Sequence, residues 1–312
     1  MSIAFIFPGQ GSQKAGMGKA LAEAFPICRQ TFDEADAALG DRLSRLIFEG
    51  PDDQLTLTEN AQPAILTVSI AAFRLLESRG LAPAFVAGHS LGEYSANVAA
   101  GTFPFADAVT IVRRRGRYMQ EAVPVGAGAM AAILGLDAAA VAEACRQALD
   151  GGAPGEVVSP ANVNGGGQIV IAGSAAAVAR ACERAKALGA RRAVPLSVSA
   201  PFHCALMKPA EERLAPELRA LATHDPRVPV VADVDAEPKR DARGAVDALV
   251  AQVSSPVRWE AVVERLAKEG VTTYVEVGPG TVLSGLVKKI HRDAMIVSFG
   301  SPDDLAAIES IL

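Results

Sequence analysis

Ala84-Phe85-Val86-Ala87-Gly88-His89-Ser90-Leu91-Gly92 is the stretch that decides the fold. A short, unbroken apolar run leads straight into Gly-His-Ser-Leu-Gly, which fits the pattern G-x-S-x-G of a nucleophile elbow. Apolar runs of this length, without alternation, read as strands buried on both faces of a mostly parallel sheet. Two glycines flank the serine because a strand that turns at once into a helix presses backbone on backbone. Ser90 then projects from a strained turn at a helix start, where free N–H groups favour a developing oxyanion. The plainer alternative is a glycine-rich turn with a capping serine.

Elements on either side keep the same alternation. The chain opens on the apolar run Ser2-Ile3-Ala4-Phe5-Ile6-Phe7, which is too short for a leader or a membrane span and reads as a buried first strand. It ends at Pro8-Gly9-Gln10-Gly11-Ser12-Gln13, after which helical patterns run to about residue 48. A long helix is expected from about Gln62 to Arg79, stopped by Gly80 and Pro83. Beyond the elbow, a helix begins at Leu91 and another spans Phe105 to Glu121.

Between about Val125 and Pro195 the pattern changes. Strands are expected over Ala127 to Leu134, Val157 to Val163, Gln168 to Ala172 and Arg192 to Leu196, with helices over Asp137 to Leu149 and Ser174 to Leu188. A hairpin turn falls at Asn164-Gly165-Gly166-Gly167. The order is βαββαβ, the ferredoxin-like arrangement. After it, strands near Val228 to Val234, Thr273 to Val277 and Met295 to Phe299 resume the α/β alternation. The expected fold class is therefore α/β. Its large hydrolase-like domain, residues 1–124 and 197–312, carries a mostly parallel sheet, and an inserted ferredoxin-like subdomain spans 125–196.

Composition removes several function classes. In 312 residues, hydrophobic side chains are 50% and charged ones 21%, which fits a folded protein and argues against disorder. A net charge of −5 gives no global case for nucleic acid. Cys28, Cys145, Cys182 and Cys204 are scattered without CxxC spacing, so neither a zinc site nor a disulfide framework is suggested, and a reduced, cytoplasmic protein is the simplest reading. Gly126-Ala127-Gly128-Ala129-Met130-Ala131 matches a dinucleotide-loop pattern but precedes its strand instead of following one.

A serine hydroxyl needs a base, and the chain has four histidines. His89 is turned away by the elbow and is left for packing, while His224 and His291 lie in polar or basic surroundings and read as solvated. His203, in Ser199-Ala200-Pro201-Phe202-His203, sits where a strand gives way to a helix and is the base by elimination. The loop Pro8-Gly9-Gln10-Gly11 reads either as the other half of an oxyanion hole or as a plain βα turn. Of Arg113-Arg114-Arg115, on an otherwise amphipathic helix, at least one must point sideways or inward.

With these pieces in place, the chain resembles the malonyl-CoA:acyl carrier protein transacylases. Phe7-Pro8-Gly9-Gln10-Gly11-Ser12-Gln13, Gly88-His89-Ser90-Leu91-Gly92-Glu93 and Pro201-Phe202-His203 carry the likeness. Arg115-Gly116, Asn162-Val163-Asn164, Pro256-Val257-Arg258-Trp259 and Glu276-Val277-Gly278-Pro279-Gly280 extend it over nearly the whole chain. The resemblance implies that Ser90 carries the acyl group and His203 is its acid and base. It implies an oxyanion hole from the backbone N–H groups of Gln10 and Leu91, and Arg115 on the free carboxylate of malonate. Gln252 would orient His203 through its main-chain carbonyl, leaving its side chain dispensable, and Phe202 would narrow the acyl pocket.

The implied substrate is malonyl-CoA and the implied partner an acyl carrier protein with its phosphopantetheine arm. A monomer is implied, with no metal, nucleotide or redox cofactor and no nucleic-acid or membrane partner. Basic Lys288, Lys289 and Arg292 are candidates for docking an acidic carrier. The rival readings are a serine thioesterase or esterase, with water as the second acceptor, and a non-catalytic carrier-docking protein.

Overall fold

A computed structural model describes residues 2–196, 198, 200–309 and 311. Its strands, in chain order, are β1 (Ile3–Phe7), β2 (Phe85–Gly88), β3 (Gly128–Leu134), β4 (Val158–Gly165), β5 (Gln168–Ser174), β6 (Arg192–Pro195), β7 (Val230–Val231), β8 (Pro238–Lys239), β9 (Thr273–Val277) and β10 (Met295–Phe299). The two fully apolar runs lie side by side: β1 pairs with β2 in parallel, from Ala4 opposite Phe85 to Phe7 opposite Gly88. That register brings both glycine-rich loops out at one sheet edge, which is where an α/β protein gathers its ligand-handling groups.

The larger sheet has the order β10-β9-β1-β2-β7-β8, parallel throughout except for the last pair. The strand expected over Val228 to Val234 is confined to Val230–Val231. The reason lies in the next residues: Asp233 leaves the ladder so that its amide bonds Glu93 Oε2 at 3.0 Å and its carboxyl receives the Ser90 amide at 2.8 Å. The long helix starts at Thr58 instead of Gln62, with Pro63 inside it. Proline there reads as a helix start from sequence because its ring suits the first turn.

The second sheet, β4-β5-β3-β6, is antiparallel throughout. Helices Ala138–Leu149 and Ala175–Ala187 bury Val141, Cys145, Val178 and Ala181 against it. This is the βαββαβ order expected. Its hairpin is tighter than the four-residue turn read from sequence, because β4 runs on to Gly165 and β5 begins at Gln168. Gly166 and Gly167, at φ 61° and 72°, supply the two positive φ angles that a two-residue type I′ turn requires.

All four cysteines are buried and free. Among the described residues, no helix is long and apolar enough to cross a membrane.

Two glycines set the geometry of the elbow. A Cβ on Gly92 would stand 2.0 Å from Phe7 O, and one on Gly88 would stand 2.0 Å from the Gly92 carbonyl carbon. Helix Leu91–Ala100 therefore packs on the sheet through bare backbone. Gly92→Ala should lower unfolding stability in urea by about 1–3 kcal/mol, the usual cost of overpacking. Gly285→Ala, in helix Val282–Ile290 with nothing within 4 Å of its Cβ, should instead stabilise by about 0.5–1 kcal/mol. Equal effects of the two changes would contradict the close contact.

Candidate active site

Ser90 stands at φ 52° and ψ −105°, outside the range favoured by residues with a side chain, just before helix Leu91–Ala100. Among the described residues only Ser90, His203 and Ala236 are non-glycines at positive φ, so two of the three strained positions are the expected nucleophile and base. The Ser90 amide is committed to Asp233. The next N–H, that of Leu91, opens the helix and has no intrahelical acceptor. Gly9, whose Cβ would meet His89 O at 2.5 Å, presses the first glycine loop against the elbow, bringing Gln10 alongside.

His203 lies in the turn before a short 3₁₀ segment, Ala205–Met207, well past the end of β6 at Pro195. Ser199, which opens the stretch quoted above, lies outside the described residues. His203 Nε2 is 2.7 Å from Ser90 Oγ, and Nδ1 is 2.9 Å from the main-chain carbonyl of Gln252. A carbonyl only accepts, so Nδ1 carries the proton and the Nε2 lone pair faces the serine hydroxyl. Burial, with the Arg115 charge next, pushes His203 down to about 3 against the pull of that carbonyl. The imidazole is thus neutral and ready to accept a proton.

Arg115 is 1% exposed. It lies on the apolar stripe of helix Phe105–Glu121, in line with Ala108, Val112 and Met119, while Arg114 faces solvent and pairs with Glu217. Arg113 is partly buried and reaches Asp41. The Arg115 fork donates to Gln62 Oε1 at 2.8 Å, to Gln252 Oε1 at 2.9 Å and to Ser90 Oγ at 3.1 Å, above the Tyr94 ring. Its direct partners are neutral, which keeps the cation available to an incoming anion. Burial draws its proton affinity below the usual arginine value, opposed by Tyr94, Glu93 and Asp233.

A cavity of about 530 Å³ opens over these groups. Pro8 to Gln13 form one wall, Phe202 and His203 another, and Met130, Asn162, Asn164 and Val170 of the second sheet a third. Among the described residues no cluster of three or more His, Cys, Asp or Glu is placed to hold a metal.

A model of the acyl transferase domain matches residues 4–301 of this chain. The malonyl CoA-acyl carrier protein transacylase of Bacillus subtilis is 52% identical over 303 residues, 97% of this chain and 95% of that one. Its counterpart in Escherichia coli K12 is 52% identical over 306 residues, 98% of each chain. This chain belongs to the malonyl-CoA:acyl carrier protein transacylase family. A solved acyl-carrier-protein-S-malonyltransferase from Bartonella henselae has a TM-score of 0.96 and 48% identity, covering 100% of this chain and 99% of that one. A solved malonyl-transacylase in complex with a type II PKS acyl-carrier protein has a TM-score of 0.96 and 45% identity, covering 100% of each chain.

Several residues of this acyltransferase site escaped the sequence reading. The Gln252 side chain, fully buried, is one. Its amide bonds Arg115 through Oε1 and, through Nε2, Ser90 O at 2.9 Å, Glu93 Oε2 at 2.7 Å and Asp233 Oδ2 at 3.1 Å. His89 both packs on Trp259, ring centres 5.8 Å apart, and holds Asn164 Oδ1 at 2.9 Å on the cavity wall. His291 is half-buried and bonds the Tyr274 hydroxyl at 3.1 Å, so it is not the solvated residue expected; His224 is exposed.

The dispensable side chain expected at position 252 is corrected by this geometry. Gln252→Ala keeps the carbonyl that binds His203 but strips a buried cation and two buried carboxyls of a partner. It should destabilise by at least about 1–3 kcal/mol in chemical denaturation, the cost of one unsatisfied buried group. Gln10→Ala, which removes an exposed side chain with a bond to Thr58, should stay within about 0.5 kcal/mol of the parent. Equal stability of both variants would return Gln252 to a purely main-chain role.

Proposed function

We propose that this chain transfers a malonyl group from coenzyme A to the phosphopantetheine thiol of an acyl carrier protein through an ester on Ser90. Ser90 Oγ attacks the thioester carbonyl while His203 Nε2 takes its proton, and the same nitrogen returns that proton to the departing coenzyme A sulfur. The carrier thiol then attacks the ester, losing its proton to His203, and Ser90 is restored. The N–H groups of Gln10 and Leu91 receive the oxyanion. The Gln252 carbonyl holds the imidazole tautomer, and Phe202, half-buried on the cavity wall, narrows the acyl pocket.

In this reading residues 1–124 and 197–312 form the catalytic body, and the 125–196 subdomain supplies the far wall of the cleft. Lys288, Lys289 and Arg292 stand exposed near the end of the helix whose first turns, Val282 to Leu286, line the cavity, which suits them to an acidic carrier. A monomer working in the cytoplasm is the simplest setting.

The observation that carries the reading is a buried guanidinium 3.1 Å from the nucleophile. An esterase for neutral acyl groups gains nothing from such a cation, whereas a malonyl group ends in a carboxylate that a planar fork can bind through both oxygens. Incubation with radiolabelled malonyl-CoA should label the protein, and adding a carrier should remove the label onto the carrier. Release of free malonate instead would mark a hydrolase, and absence of label a docking protein; Ser90→Ala should take no label.

Arg115→Ala should lose most malonyl transfer, since an unpaired buried carboxylate costs roughly 3–5 kcal/mol. Acetyl transfer should hold steady, with lysine rescuing malonyl transfer only in part and Arg114→Ala serving as control. Equal loss with malonyl and acetyl substrates would make Arg115 structural.

The protonation state of His203 has its own signature. Since its folded value is depressed to about 3, the neutral base persists well below the range of a free imidazole. Acylation kcat/KM should stay flat from pH 8 down to about pH 5, without the fall near pH 6.5 that an unperturbed histidine gives. A midpoint close to 6.5 would mean that the imidazole is solvated in the working enzyme.

A further inference from the structure

Beneath the nucleophile lie two carboxyls that the transfer reaction does not use. Glu93, on the elbow helix, and Asp233, just past β7, are 1% and 0% exposed, and their carboxyls lie within hydrogen-bonding reach of each other. Glu93 Oε2 accepts from the Asp233 amide at 3.0 Å and from Gln252 Nε2 at 2.7 Å. Asp233 Oδ2 accepts from the Ser90 amide at 2.8 Å and from Gln252 at 3.1 Å. Asp233 Oδ1, fully buried, has no donor among the described residues.

Were both groups ionised, two negative charges would lie side by side in a buried site, with no cation among the described residues bonded to either. The nearby cation, Arg115, spends its fork on Gln62, Gln252 and Ser90. One oxygen would also stay bare of any donor, which buried carboxylates avoid. A proton on Asp233 Oδ1 removes both difficulties, since that oxygen then donates to Glu93. Each carboxyl has one oxygen with two donors, so the asymmetry lies at the bare Asp233 Oδ1, which makes Glu93 the ionised partner.

We propose that Glu93 and Asp233 share one proton, carried on Asp233 Oδ1, and that Asp233 is a positioning residue holding the Ser90 amide and, with Glu93, the Gln252 amide that aligns Arg115. The other groups acting on the pair are Arg115 from helix Phe105–Glu121, Asp235 from the β7–β8 turn and Tyr94 on Glu93's own helix. Burial pushes both carboxyls upward; on Asp233 the charge and bond of Glu93 add to it and drive it well upward, whereas on Glu93 the bonds from Asp233 and Gln252 oppose it. The pair plus Arg115 then sums to no net charge.

An asparagine is the uncharged copy of a protonated aspartate: its amide N–H donates where Oδ1–H did, and its oxygen accepts where Oδ2 did. Three measurements on the full-length enzyme test the proposal. Infrared difference spectra at pH 8 between parent and Asp233→Asn should contain the C=O stretch of a protonated carboxylic acid, lost in the variant. In the parent, a group whose folded affinity for protons is raised costs stability as pH climbs above its unfolded value near 4. Melting temperatures of Asp233→Asn relative to the parent should therefore rise progressively from pH 4 to pH 8.

In single-turnover labelling by malonyl-CoA, Asp233→Ala should slow acylation at least tenfold, and asparagine should restore the rate to within threefold of the parent. The kinetic arm rests on the reading of Ser90 as acyl carrier; the infrared and melting arms do not, so a failure of that reading leaves them intact. An acid band that persists in Asp233→Asn, or none in the parent, overturns the shared proton. Asparagine as slow as alanine, or alanine as fast as the parent, overturns the positioning role.

Discussion

The site depends on one strained backbone position. At φ 52° Ser90 bears a cost on the order of 1–3 kcal/mol that a relaxed turn would release. Both of its backbone polar groups are tied from remote parts of the chain, the N–H by Asp233 and the C=O by Gln252. Two such buried bonds contribute about 0.5–1.5 kcal/mol each, enough to offset strain of that size. The glycines at 88 and 92 close the remaining escape, because the helix cannot swing without parting from the backbone of β1 and β2. His203, at φ 59°, is a second strained residue facing the first, and the 2.7 Å contact between them exists because neither can relax.

The second level of organisation is electrostatic. A guanidinium buried without a direct carboxylate partner is held by amide oxygens of Gln62 and Gln252, which orient it without neutralising it. A carboxylate bonded to the fork in its place would give a tighter resting structure and a poorer receptor. The cation also acts on its neighbour: with burial, it keeps His203 from taking up a proton before the serine offers one. Gln252 joins the two groups, its carbonyl fixing the imidazole and its side chain fixing the guanidinium, so both hang on a single support.

The sequence made much of this legible, for reasons that differ by residue. Gly88, Ser90 and Gly92 announce themselves because the constraint is local: the strand, the turn and the helix start all fall within nine residues. Helical periodicity says only that one of Arg113, Arg114 and Arg115 turns inward; the resemblance points to Arg115, and the structure puts it on the buried face with positions 108, 112 and 119. The βαββαβ order follows from alternating patterns and the triple glycine. Asp233 carried no such signal, because a lone aspartate after a short apolar run reads as a loop residue. Its partners lie 143 and 140 positions away, at Ser90 and Glu93, and no spacing rule reaches that far. The Gln252 side chain was hidden for a similar reason: its partners Arg115, Ser90 and Glu93 lie 137, 162 and 159 positions away, and only the packed structure buries it among them. The strand expected at Val228 to Val234 was overcalled because β-branched composition does not reveal where backbone is diverted to a side-chain network.

On the proposed reading, the orienting carbonyl bears on why the second acceptor is a thiol. A carboxylate in the place of the Gln252 carbonyl would stabilise imidazolium and make His203 a strong base. A neutral carbonyl does less, and the adjacent guanidinium opposes the charge outright, so His203 is a weak one. Water, with a pKa of about 15.7, needs strong assistance to attack an ester. A thiol, at about 8.5, gives up its proton far more readily and is intrinsically more nucleophilic. Weakening the base therefore slows hydrolysis more than it slows thiol attack. The same Arg115 that recognises the acyl carboxylate thus helps the malonyl ester outlast its encounters with water until a carrier thiol arrives.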